Sequence, residues 1–213
     1  HSSDTFAGRM MAVSKAVSGG PCYLSDDPSQ FNGDLIRPLC DREGKLLRPL
    51  APAVPLPRSV MIDPFEHAEA YLAAAPLPGG AAAIVAYNLT EPEQPVKGRI
   101  TPRDHADAAG LLDVERHPWP GKHEGLVLYD HDAGEALELT EAWDFELAGF
   151  EDRLVLLCPI VEGWAVIGAA DKFLSPAGVN RRHADRNRLI LDVPEPGPVL
   201  VWHDGELQRI QAD

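Results

Sequence analysis

The sequence predicts a mainly β protein: a C-terminal antiparallel β-sandwich preceded by a short α/β segment. Three observations carry this. From residue 68 onward, apolar residues fall into ten runs of strand length. Turn residues part most of those runs, as at Pro78-Gly79-Gly80, Asp132-Ala133-Gly134, Pro194 to Gly197 and His203-Asp204-Gly205. The first fifty residues carry a helical period instead, with Phe6, Met10, Val13 and Val17 spaced by four, three and four.

In chain order, Asp4 is placed to cap a helix over 5–17, and Gly19-Gly20 stops it. Residues 21–25 (PCYLS) have the length and composition of a short buried strand. Asp26-Asp27-Pro28 then opens a second helix, with Asp27 as its cap and a stripe of Phe31, Leu35, Ile36 and Leu39. Pro38 ends that helix near Arg37, and 41–45 (DREGK) is a polar turn. Four prolines between Arg48 and Arg58 forbid regular helix, so this stretch reads as a linker or edge-packed connector, or else as a proline-motif ligand. Strands are expected at 68–75, 81–89, 96–100, 125–129, 135–139, 143–150, 154–159, 165–171, 188–193 and 198–203. Residues 101–122 lack a strand period and read as a loop with a short helical turn. The division is therefore 1–56 and 57–213. One strand between two helices cannot bury both its faces, so Phe6, Met10, Val13 and Leu35 are expected to need a partner: residues outside this chain, or a second copy in a homo-oligomer.

Composition narrows the function classes. Lys plus Arg total 19 and Asp plus Glu 33, a net charge of −14 over 213 residues. That balance opposes nucleic-acid binding, which needs a basic face. No run approaches the ~20 apolar residues that span a bilayer, and His1-Ser2-Ser3-Asp4 does not begin a signal peptide. A cytoplasmic protein without membrane partners is the expectation. Cys22, Cys40 and Cys158 are odd in number and far apart, which is neither a disulfide framework nor a metal-type pair.

Candidate chemistry is sparse. Asp130-His131-Asp132 is the densest ligand cluster, but neighbours on a strand point to opposite faces, so a turn with solvated charges is expected. There is no G-x-S-x-G elbow and no phosphate-binding glycine loop, so neither a cofactor nor a metal is implied. Ser18-Gly19-Gly20-Pro21 reads as a helix end and turn. Arg181-Arg182-His183, Arg186 and Arg188 form a basic island that either pairs with carboxylates or meets an anion. Trp119, between Pro118 and Pro120, could pack in its loop or stack on a sugar. Asn88-Leu89-Thr90 matches the glycosylation pattern by chance.

The segment 16–26 (AVSGGPCYLSD) resembles the A-(I/V)-S-G-G-P-x-Y-(V/I)-S-D stretch of raffinose synthases and seed imbibition proteins, the relatives of α-galactosidases in glycoside hydrolase family 36. Residues 35–48 (LIRPLCDREGKLLR), 143–147 (WDFEL), 158–160 (CPI) and 165–179 (AVIGAADKFLSPAGV) resemble further segments of that family in the same order. The resemblance implies that 1–56 closes a (β/α)8 barrel, with 5–17 following its seventh strand and 21–25 as its eighth, and that a β-sandwich follows. It implies an enzyme acting on terminal α-galactosyl groups by a retaining mechanism, as hydrolase or transferase. The family's two catalytic aspartates lie on earlier strands and match no position here, so no catalytic residue is assigned and the chain alone is expected to be inactive. Residues at the C-terminal ends of barrel strands line the active site, which leaves Asp26 as a substrate-binding residue. The alternatives are a non-catalytic β-sandwich that binds carbohydrate or a protein partner, and a metal enzyme built on Asp130-His131-Asp132.

Overall fold

The computed structural model describes residues 2–4, 6–90, 93–112 and 122–213. The chain is mostly β, and every ladder between its strands is antiparallel. In order the strands are β1 (Val54–Pro55), β2 (Tyr71–Pro76), β3 (Ala82–Tyr87), β4 (Val96–Ile100), β5 (Gly125–Asp130), β6 (Glu135–Glu138), β7 (Trp143–Leu147), β8 (Asp152–Ile160), β9 (Trp164–Ala169), β10 (Asn180–Asp185), β11 (Arg188–Asp192), β12 (Gly197–His203) and β13 (Glu206–Ala212). The helices are α1 (Gly8–Ser18), α2 (Gly33–Ile36) and α3 (Pro102–Ala109).

A six-stranded sheet in the order β1-β2-β3-β8-β5-β6 lies at the centre. Side chains alternate along its strands, and both faces are buried. Ile84, Leu128, Val155 and Leu157 point to one side, where the β4–β7 pair and Ala108 of α3 cover them. Val85, Val127, Leu154 and Leu156 point to the other. There Val13, Ala16 and Val17 of α1 meet them beside Ile167 of β9 and Leu200 and Trp202 of β12. Burial on both faces explains why AAIVAY (82–87) and LVLLCP (154–159) read as continuous apolar runs rather than alternating ones. Each fully buried Leu or Ile contributes about 1.5–3 kcal/mol. The three-stranded sheet β13-β12-β9 and the β10–β11 hairpin enclose a smaller cluster around Val179, Val199 and Val201.

All ten expected strand runs contain a strand. Three further strands were not expected. β10 and β13 are polar along most of their length, and β1 is two residues paired with Ala73 and Ala74 at the sheet edge. Instead of the expected short helical turn, the region after residue 101 holds α3, a helix of eight residues opened by a capping box between Thr101 and Asp104, with Pro102 at its first position. Asp104 is fully buried and takes a two-pronged ion pair from Arg58, whose second nitrogen also donates to the Arg99 carbonyl at 2.7 Å.

The N-terminal part departs more from expectation. Helix α1 begins at Gly8, and the Asp4 carboxylate instead accepts from the Phe6 and Ala7 amides at 2.9 and 3.0 Å, forming the lead-in turn. Gly19 ends the helix with φ of +64°, a left-handed conformation that glycine adopts without strain. Residues 21–27 form no ladder and no helix, because no neighbouring strand among the described residues offers them hydrogen bonds. The second helix is broken into the short turn Pro28–Gln30, α2 and another turn at Arg37–Leu39. Asp27 caps the first of these, accepting from the Ser29 amide at 2.8 Å. Val13 does not await a partner, since it is wholly buried against the central sheet, and Leu35 packs on the same core. Phe6 remains 67% exposed, with its ring stacked on Phe150.

Candidate functional site

Asp26 sits where the unpaired segment 21–27 passes the N-terminus. Its Oδ1 accepts from the Ser2 hydroxyl at 2.9 Å and from the Ser3 amide at 3.1 Å. Ser2 is buried, and its oxygen also accepts from the Asn32 amide at 3.0 Å, so one hydroxyl ties three segments together. Oδ2 is shielded from solvent and accepts no hydrogen bond among the described residues. Burial pushes the carboxyl up, but the bonds from Ser3 and Ser2 outweigh it and hold it below the usual carboxylate value. An ionised carboxylate with one oxygen fixed and the other unengaged is an acceptor for a hydroxyl donor. A narrow hollow of about 40 Å³ lies beside it, bounded in part by Ser2, Lys15, Tyr23 and Leu35. Around this corner Tyr23 is 79%, Leu24 49% and Phe31 47% exposed.

The other candidates resolve into structural roles. In Asp130-His131-Asp132, Asp130 Oδ1 accepts from the Asp132 and Ala133 amides, Asp132 and Asp152 both pair with Arg9, and His131 Nε2 meets the Lys172 carbonyl at 3.1 Å. The two Arg9 pairs pin α1 to the sheet. Burial lowers the His131 pKa and raises that of Asp152 despite the Arg9 guanidinium. No group of three or more His, Cys, Asp or Glu side chains able to hold a metal occurs among the described residues. The basic island forms the β10–β11 hairpin, where Arg182 pairs with Asp192 and His183 with Asp185 at 3.0 Å. Asn88 is buried and donates to the Gln94 and Ala148 carbonyls, both at 2.7 Å, so the folded chain offers it no glycosylation access. Cys158 lies in the core, where burial pushes its thiol up to about 12. Trp119 lies outside the described residues. Among the described residues no helix is long and apolar enough to cross a membrane.

The setting of Asp26 could not have been read from the sequence, because Ser2 and Ser3, which bond its Oδ1, lie 24 and 23 residues away. The segment around it was legible, and comparison with known proteins bears on it directly. Residues 1–89 match the family described as raffinose synthase or seed imbibition protein Sip1. A stretch of 58 residues is 38% identical to the Arabidopsis thaliana protein named Probable galactinol–sucrose galactosyltransferase 6. That stretch spans 27% of this chain and only 8% of that relative. Among solved structures, α-galactosidase I from Mortierella vinacea aligns at 13% identity and a TM-score of 0.33, over 52% of this chain and 24% of its own. A Bacillus halodurans C-125 protein assigned to the α-N-acetylgalactosaminidases aligns at 17% identity and 0.31, over 45% and 19%. The segments at 143–147, 158–160 and 165–179 lie beyond the family match. Residues 1–89, which carry the SGGPCYLSD segment ending at Asp26, are the part of this chain that is similar to the raffinose synthase or seed imbibition protein family.

Proposed function

We propose that this chain is the C-terminal portion of a larger enzyme acting on terminal α-galactosyl groups, an α-galactosidase or a raffinose synthase-like galactosyltransferase. In that reading, 1–56 closes a (β/α)8 barrel and 57–213 is the β domain that follows. The observation that carries it is the unfinished corner at Asp26. A family-matched segment of strand length lies unpaired, with Tyr23 and Leu24 exposed on it and a shielded carboxylate oxygen unengaged. Neighbouring barrel strands would supply the missing ladder and cover.

Retaining transfer needs two carboxyl groups about 5–5.5 Å apart, one attacking the anomeric carbon and one protonating the leaving oxygen. In this reading both come from residues outside this chain. Its part in the reaction is to hold a sugar hydroxyl at Asp26 Oδ2 while Ser2 and Ser3 fix Oδ1. Whether water or an acceptor sugar resolves the glycosyl-aspartate is set by groups outside this chain.

The test compares this chain with the longer protein, using an α-galactoside and, separately, galactinol with sucrose. The chain alone should turn over neither. In the longer protein, Asp26→Asn should raise KM more than it lowers kcat, since it removes a binding contact. Turnover by the 213-residue chain itself, or an Asp26→Asn enzyme with unaltered kinetics, contradicts the proposal.

A further inference from the structure

A cavity of about 460 Å³ opens where the 41–48 turn meets the 171–178 loop and the 193–199 segment. It shares no lining residue with the hollow at Asp26. Its volume falls in the range of small-molecule sites. Pro194, Pro196 and Pro198 stiffen one wall, so the shape is set before any ligand arrives. Leu46, Leu47, Val193 and Val199 give it apolar surface.

Its polar groups are arranged around one ammonium. The Lys172 side chain is only 9% exposed. Its Nζ donates to the Cys40 carbonyl at 2.9 Å and lies 3.5 Å from Asp171 Oδ2 and 3.7 Å from Glu195 Oε2. Those last two separations are longer than a good charge-assisted hydrogen bond. A hydroxyl group can bridge one such gap, because it accepts from the ammonium and donates to one carboxylate, so two neighbouring hydroxyls would bridge both.

The balance of charge selects the ligand class. An anion would face Asp41, Asp171 and Glu195, and a cation would face Lys45, Arg48 and Lys172. A purely apolar ligand would strip water from the ammonium and the carboxylates without replacing their hydrogen bonds. A neutral molecule with several hydroxyls on a C–H framework satisfies every wall. We propose that this cavity binds a mono- or disaccharide, whose hydroxyls bridge Lys172 to Asp171 and Glu195 while its C–H face lies on Leu46 and Val199. The inference follows from the cavity alone and holds whether or not the chain is part of a galactosyl enzyme.

The experiment titrates the ¹⁵N-labelled chain with galactose and with sucrose, and separately with inorganic phosphate and ethanolamine. Saturable amide shifts confined to 41–48, 171–178 and 193–199, with a roughly millimolar dissociation constant, are expected for at least one sugar. Asp171→Asn and Glu195→Gln keep the side-chain shapes at partly exposed positions and should each weaken binding about five- to tenfold. Their melting curves should match that of the parent chain, which separates lost binding from lost fold. Absence of saturable shifts with both sugars overturns the inference. So does binding unaltered in both variants, or tighter binding of phosphate or ethanolamine than of sugar.

Discussion

The central strands and the short segment 21–25 both read as buried strand in the sequence, yet they end in opposite states. Ile84, Val85, Leu156 and Leu157 are wholly buried because strands, helix and hairpin reach both sheet faces. Tyr23 and Leu24 stay exposed because nothing among the described residues extends their backbone ladder. The contrast shows that an apolar run folds as a strand only when a neighbour supplies its hydrogen bonds. Where neighbours are lacking, local side-chain bonds take over. Asp4, Asp26, Asp27 and Asn32 each accept from backbone amides and turn the chain into short caps and bends.

The contrast can be broken most forcefully from the sheet side. Gly168 has φ of +108°, and a Cβ there would lie 2.0 Å from the Ser175 carbonyl oxygen. Gly168→Ala should cost about 3 kcal/mol or more, since both the backbone conformation and a main-chain clash oppose it. Chemical denaturation should show a large fall in midpoint, with family-matched residues 21–31 no more exposed than before.

Acidification separates the regions next. His105 is buried and meets the Gly80 carbonyl at 2.7 Å, and burial lowers its pKa to about 4 from 6.5. The unfolded chain binds this proton first, so stability falls as pH drops from about 6.5 towards 4, by up to about 3 kcal/mol. His131 is shifted in the same direction. The carboxylates of Asp4, Asp26 and Asp27 are held below their ordinary value, chiefly by backbone and serine hydrogen bonds. Their contribution is present above the unfolded value and is lost only as pH falls through the lower folded one. Denaturation midpoints measured from pH 7 to 4 should therefore decline while the turns at 2–31 persist.

The smallest effect is Asp27→Ala. It removes the cap on Pro28–Gln30 and should speed amide exchange at Ser29 without moving the global midpoint.

Much of this was legible in the residues. The central strands announced themselves because both-face burial demands unbroken apolar runs. The cap at Asp27 and the end of α1 at Gly19 follow from local chemistry alone. The polar strands β10 and β13 were not legible, because their residues pack on one partner strand and carry no burial pattern of their own. Helix α3 had a readable signal in Thr101, Pro102 and Asp104, obscured by the many alanines and aspartates that follow. The Asp26 corner and the Lys172 cavity are assembled by contacts across 23 or more residues, which no local pattern encodes.

The most direct measurement is amide hydrogen exchange over residues 21–31 in this chain and in the longer protein, with 82–87 and 154–160 as internal reference. In this chain the reference strands should be strongly protected, and Tyr23 to Asp26 should exchange close to the unprotected rate. In the longer protein the same four amides should gain protection comparable to the reference strands. Strong protection of Tyr23 to Asp26 in the 213-residue chain, or none in the longer protein, would contradict the assignment of this segment as an incomplete barrel strand.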